Sequence, residues 1–117
     1  MLITSEEVKE IAEQFPVLIT REKRIRDRLV KLVGKDPEQE YYYHAELEAI
    51  KKRCDLIFNA IDSNYILTNK ENAALFFRTI EGCTLEEIGN RLNCTRERAR
   101  QLLESTYKKI STSNAVE

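Results

Sequence analysis

A chain of 117 residues is about one domain's worth of protein, with room for one modest core. Lys+Arg 19 against Asp+Glu 20, a net charge of −1, excludes a global attraction to polyanions, so any nucleic-acid role must come from local placement of charge. Apolar residues at 42%, charged residues at 33%, three Gly, two Pro and no run of membrane-spanning length exclude a membrane protein and favour helix throughout.

The N-terminal MLITSEEVKE has acids where a signal peptide has bases and then an apolar stretch. A cytoplasmic location is expected, with no membrane partner. Thr4 stands three residues before Glu7 with capping-box spacing, and a first helix is expected over about Ser5–Phe15, ended by Pro16. Its inward face is Val8, Ile11, Ala12 and Phe15. A second helix is expected over about Thr20–Val33, with Ile25, Leu29, Leu32 and Val33 inward and Gly34 as its stop.

Asp36-Pro37-Glu38-Gln39 starts a third, long helix to about Asp62, with Pro at the first helical position. Tyr43, Leu47, Ile50, Cys54, Ile57 and Ile61 alternate at spacings of four and three, a seam of the coiled-coil kind. Its partner is either the second helix folded back through Gly34–Pro37 or the same helix of another subunit, which would make a homodimer. Charge favours the first option. Arg21–Lys35 holds seven bases and two acids, whereas Asp36–Glu48 holds five acids and no Lys or Arg. The alternative use of the basic segment is a second contact with nucleic acid. Tyr41, Tyr42 and Tyr43 begin this acidic helix, a poor place to hold single-stranded DNA, and His44 beside them reads as a surface residue.

Ser63–Leu67 reads as a connector. Thr68-x-x-Glu71 and Thr84-x-x-Glu87 repeat the capping-box spacing, and three shorter helices are expected over about Asn69–Ile80, Leu85–Leu92 and Arg96–Ile110, followed by a fraying polar tail. The fold class is therefore all-α: N-terminal helices that include a long coiled-coil-like one, then a C-terminal three-helix domain. The division falls between residues 1–66 and 67–117.

The segment TLEEIGNRLNCTRERARQLL fits a helix-turn-helix position by position. Thr84 starts the first helix, and Gly89 is small where the second crosses close by. Leu92 reaches the shared core one turn later. Asn93 tolerates the left-handed conformation a sharp turn needs, Cys94 plugs the turn, and Thr95 caps the second helix. Ala99 and Leu102 pack inward, with Leu103, Thr106 and Ile110 on the same side. Glu97, Gln101, Glu104 and Lys108 lie opposite, Arg98 and Arg100 flank them, and Arg96 stands at the N-terminal end. An α-helix fits the major groove and reads base edges with its N-terminal residues: Arg takes guanine, Gln takes adenine, Glu accepts from cytosine, and flanking arginines take phosphates. Thr95–Ile110 carries five bases and two acids, an excess of +3.

TLEEIGNRLNCTRERARQ closely resembles region 4 of the bacterial sigma-70 family, with its T-L-E-E-I-G, short turn and [ST]-R-E-R-x-R-Q. The preceding LTNKENAALFFRTIEG resembles that family's lead-in, with Arg78, Glu81 and Gly82 matching and Thr79 in place of the usual aromatic. The resemblance runs from about Leu67 to Ile110. It implies binding of double-stranded DNA through Arg96, Glu97, Arg100 and Gln101, with Arg98 nearby, and RNA polymerase as a further partner. The first 66 residues match neither the polymerase-gripping nor the strand-melting part of the family. In layout the chain is similar to phage late-gene regulators of the ArpU type.

The function expected is that of a sequence-specific transcriptional regulator. The alternative is a partial or split sigma factor, or a sigma-like interaction module on RNA polymerase. Cys54, Cys83 and Cys94 form no CxxC pair, and there is no Ser/His/Asp set, metal-ligand spacing or phosphate-cradling glycine loop. Neither catalytic residues nor a metal or cofactor are expected, and the chain is not expected to be an enzyme.

Overall fold

A computed structural model describes residues 3–62 and 66–115. Residues 63–65 of the expected connector Ser63–Leu67 and the last two residues of the expected tail lie outside these. Among the described residues all regular structure is helical: α1 (Ser5–Leu32), α2 (Pro37–Asp62), α3 (Asn69–Thr79), α4 (Leu85–Arg91) and α5 (Arg96–Ala115).

The expectation of two helices before Gly34 is corrected. Pro16 lies inside a single 28-residue α1. A proline here removes one backbone donor and crowds the preceding turn, at a cost of about 3 kcal/mol in an isolated helix. Burial on both sides of it opposes that cost. Val8, Ala12, Phe15, Leu18, Ile25 and Leu29 form one buried stripe that continues through the proline, with Phe15 and Leu18 on either side of it. Pro16 itself is exposed, and the Thr20 hydroxyl donates to the Pro16 carbonyl at 3.0 Å. Leu32 ends α1; Lys35 N–H donates to the Leu32 carbonyl at 2.9 Å, and Gly34 takes φ +75°, where a side chain would be strained.

α2 folds back along α1 as an antiparallel hairpin. Asp36 caps it by accepting from Gln39 N–H at 3.1 Å. The seam is thereby assigned within the chain: Ile50, Cys54 and Ile57 are buried, with Tyr43, Leu47 and Ile61 packed at the margin. Of the two partners expected for the Tyr43–Ile61 seam, the one seen is α1 of the same chain. Among the described residues the expected charge pairing across the hairpin reduces to one ion pair, Arg21–Glu46; Arg26 instead pairs with Glu22 on its own helix.

α1 does more than build the hairpin. Its first half packs on α3 and α5, so one buried cluster runs from Leu29 through Phe15 to Leu75, Ile88, Leu103 and Ile110. The Phe15 and Phe58 rings meet edge to face at 5.3 Å and join α1 to α2. Arg78 of α3 fastens the same junction, donating to the Cys83 carbonyl at 3.0 Å and standing 3.8 Å from Glu13 of α1. Tyr107, buried beside it, has its phenol pushed up to about 12, chiefly by burial.

α5 continues to Ala115, five residues past its expected end. Ser111 Oγ donates to the Ile3 carbonyl at 2.5 Å, so the start of the chain holds what the polar composition suggested would fray.

Candidate nucleic-acid interface

The site is built on three capped helices. Both Thr68 and Thr84 form complete capping boxes: Thr84 Oγ1 accepts from Glu87 N–H at 3.2 Å, and the Glu87 carboxylate accepts from Thr84 N–H at 3.1 Å. The Thr4 box is half made; its hydroxyl accepts from Glu7 N–H but turns to the Glu7 carboxylate itself.

α4 and α5 are joined by a turn of the expected chemistry. Asn93 takes φ +56°, and Cys94 N–H donates to the Gly89 carbonyl at 2.8 Å. Gly89 is fully enclosed. A Cβ there would lie 2.8 Å from the Cys94 carbonyl oxygen and 3.1 Å from the Thr95 carbonyl carbon. The glycine is thus required by the backbone of the turn folding over it, before α5 has begun, rather than by the crossing of α5. Leu92 and Cys94 are half-buried against the core. Thr95 Oγ1 caps α5 by accepting from Arg98 N–H at 3.0 Å.

On α5 the inward set is as expected: Ala99, Leu102, Leu103, Thr106 and Ile110 are buried, and Tyr107, which periodicity left unassigned, joins them. Arg96, Glu97, Arg98 and Gln101 are exposed and Arg100 is half-exposed, so all five stand on the outer face of one helix end. They are not independent. Arg100 is clamped between Glu97, three residues before it, and Glu104, four after. These contacts, led by the Arg100 hydrogen bond, hold the Glu97 carboxyl below its ordinary range, and the two carboxylates raise the Arg100 guanidinium further. Glu97 therefore stays ionised at neutral pH as an acceptor in the middle of the arginines.

The count of five bases on α5 overstates its attraction for DNA. Lys109 is engaged by Glu71 of α3 at 2.7 Å, and Arg100 by two acids. Arg96, Arg98 and Lys108 make no ion pair among the described residues. Glu71 itself was hidden from sequence reading, because its place in the Thr68 capping box already explained it. It is 3% exposed and accepts from Ser105 Oγ at 2.6 Å, Lys109 Nζ at 2.7 Å and Thr68 N–H at 2.8 Å. Burial alone would push its carboxyl up; these donors more than offset that and hold it at about 2. The spacing of Ser105 and Lys109, one turn apart on α5, was the available signal.

Glu81 and Gly82, the other lead-in residues, also have structural partners. Glu81 pairs with Arg91, whose guanidinium lies 5.0 Å above the Phe77 ring, and Gly82 turns the chain at φ +64° beside Pro16. Cys54 and Cys83 are buried and Cys94 half-buried, all as free thiols. No helix among the described residues is long and apolar enough to cross a membrane.

Residues 66–111 match the family model for sigma-70, region 4. No curated protein and no solved structure matches the chain. The C-terminal part is thus sigma region 4-like, and the family it matches is a DNA-binding helix-turn-helix family and not an enzymatic one.

Proposed function

We propose that the protein is a sequence-specific transcriptional regulator that reads a short duplex site with the outer face of α5. The observation that carries this reading is the grouping of Arg96, Glu97, Arg100 and Gln101 at the capped end of a helix held down by Ala99, Leu102 and Leu103. Arg96 and Gln101 offer bidentate contacts to guanine and adenine, Glu97 accepts from cytosine, and Arg98 takes phosphate. Residues 67–117 supply the reading head, and residues 1–66 supply the hairpin that presents it to a partner. RNA polymerase is the partner that the matched family implies.

Selection of bound duplexes from random DNA supplies the site. The double variant Arg96→Ala, Gln101→Ala is then compared with the parent on the selected and scrambled sites. Each good bidentate contact contributes about 1–3 kcal/mol of discrimination, so loss of two should lower the ratio of the two affinities by at least about 30-fold. An unchanged ratio would sink the reading.

The clamp makes a second, smaller prediction. Glu104→Gln removes one of the two acids holding Arg100 while leaving Glu97 in place. Affinity for scrambled duplex should rise several-fold, and the slope of log K against log salt should steepen by about 0.9, the value for one added phosphate contact. Titrations by fluorescence anisotropy at several salt concentrations measure both.

A further inference from the structure

Arg21, Arg24, Arg28 and Lys31 recur at spacings of three, four and three along α1, so they share one face of the helix. All four are exposed. Arg21, Arg24 and Arg28 line a groove beside α2, and the acid that lines it, Glu46, is taken by Arg21. The acidic start of α2 therefore leaves this stripe without compensation: Arg24, Arg28 and Lys31 make no ion pair among the described residues.

The stripe runs over eleven residues, ten steps or about 15 Å of helix at 1.5 Å per residue. One strand of duplex DNA carries a charge about every 3.4 Å along the axis, so that length faces about four phosphates. The three unpaired cations, Arg24, Arg28 and Lys31, can neutralise three of these, and Arg21 is shared with Glu46.

The fold also gives the stripe a direction. α1 and α5 run in opposite senses. Ile3 meets Ser111, and Ser5, Glu6 and Lys9 lie beside Glu104, Tyr107 and Lys108. Passing along α1 from Lys9 towards Arg21 is therefore passing in the sense of Glu104 towards Arg96. The stripe continues past Pro16 towards the end of the molecule that carries the α5 reading face, on a helix with no break in it.

We propose that the Arg21–Lys31 stripe is a second DNA contact, which grips the phosphate backbone of duplex flanking the site read by α5. This rests on the reading of α5 as the base-reading helix. It makes the α1–α2 hairpin an arm that lengthens the footprint and adds affinity without adding sequence information, since backbone contacts position and do not specify.

The test uses the full chain with two duplexes: a selected site with minimal ends, and the same site extended by about one helical turn on each side. The parent should bind the long duplex at least ten-fold more tightly at low salt, with a steeper salt slope. The triple variant Arg24→Gln, Arg28→Gln, Lys31→Gln should lose that gain and flatten the long-duplex slope by about 2.7, three phosphate contacts at 0.9 each. Its affinity for the short duplex and its preference for selected over scrambled sequence should be unchanged. These three side chains are exposed, and an unchanged helical signal and melting temperature confirm that the variant folds. Equal binding of the long duplex by parent and triple variant would overturn the proposal, and would point to an acidic protein surface as the stripe's partner. Failure of the α5 reading looks different: the parent would show no preference for any site, whatever the duplex length.

Discussion

Gly89→Val is expected to lower the unfolding free energy by about 3 kcal/mol and to remove specific DNA binding in whatever fraction stays folded. The added side chain meets the Cys94 carbonyl oxygen and the Thr95 backbone at 2.8–3.2 Å. No rotamer relieves that, since the contact begins at Cβ and the neighbours are main chain. Overpacking in a well-packed site costs about 1–3 kcal/mol, and backbone neighbours put this position at the upper end. Gly89→Ala makes the same first contact but gains up to about 1 kcal/mol of helix propensity, so its loss should be smaller, about 1–2 kcal/mol. Urea denaturation of the two variants gives the order. A Gly89→Val protein as stable as the parent would show that the turn does not close over α4 as described. The functional loss follows from the same contact: the turn must shift to admit a Cβ, and the turn sets where α5 starts.

The second large effect concerns Glu71. Glu71→Gln is expected to destabilise the protein by about 2 kcal/mol at neutral pH, below the usual figure for breaking a buried pair because Lys109 is part-exposed and can turn to water. The pH dependence has a definite sign. The Glu71 carboxyl lies at about 2 in the folded protein against 4.5 for the free side chain. The unfolded chain therefore takes up this proton first as pH falls, and the stabilisation is present above about pH 4.5 and is lost progressively down to about pH 2. Parent and Glu71→Gln melting curves should differ most above pH 5 and converge towards pH 2. A gap that stays constant across that range would mean that the carboxylate charge contributes nothing. Because the pair ties α3 to α5, loss of Glu71 should also loosen the seat of the reading helix.

The turn at Asn93-Cys94 was legible because its chemistry is local. A left-handed residue, a cap and a glycine in fixed order leave a trace in sequence that needs no knowledge of the rest of the fold. The inner face of α5 was legible for the same reason, through helical period. What escaped was decided at long range. Pro16 reads as a helix end by every local criterion, and only the burial of Phe15 and Leu18 on either side of it overrides that reading. The engagement of Lys109 by Glu71 joins residues 38 apart, and the docking of Ile3 on Ser111 joins residues 108 apart. Charge counting failed in the same way: Arg21–Lys35 and Asp36–Glu48 have opposite signs, yet among the described residues Arg21–Glu46 is the ion pair between them, and most of these side chains are exposed to solvent.

α1 is about 42 Å long at 1.5 Å per residue, and it is seated in the core at one end and free of α3 and α5 at the other. It is a lever whose short arm is the wall of the reading head. A load of a few ångströms applied near Val33, roughly 25 Å beyond the fulcrum at Phe15–Pro16, turns that wall by several degrees. The hairpin tip and the seat of α5 are thus two ends of one continuous helix, joined through the turn around Pro16.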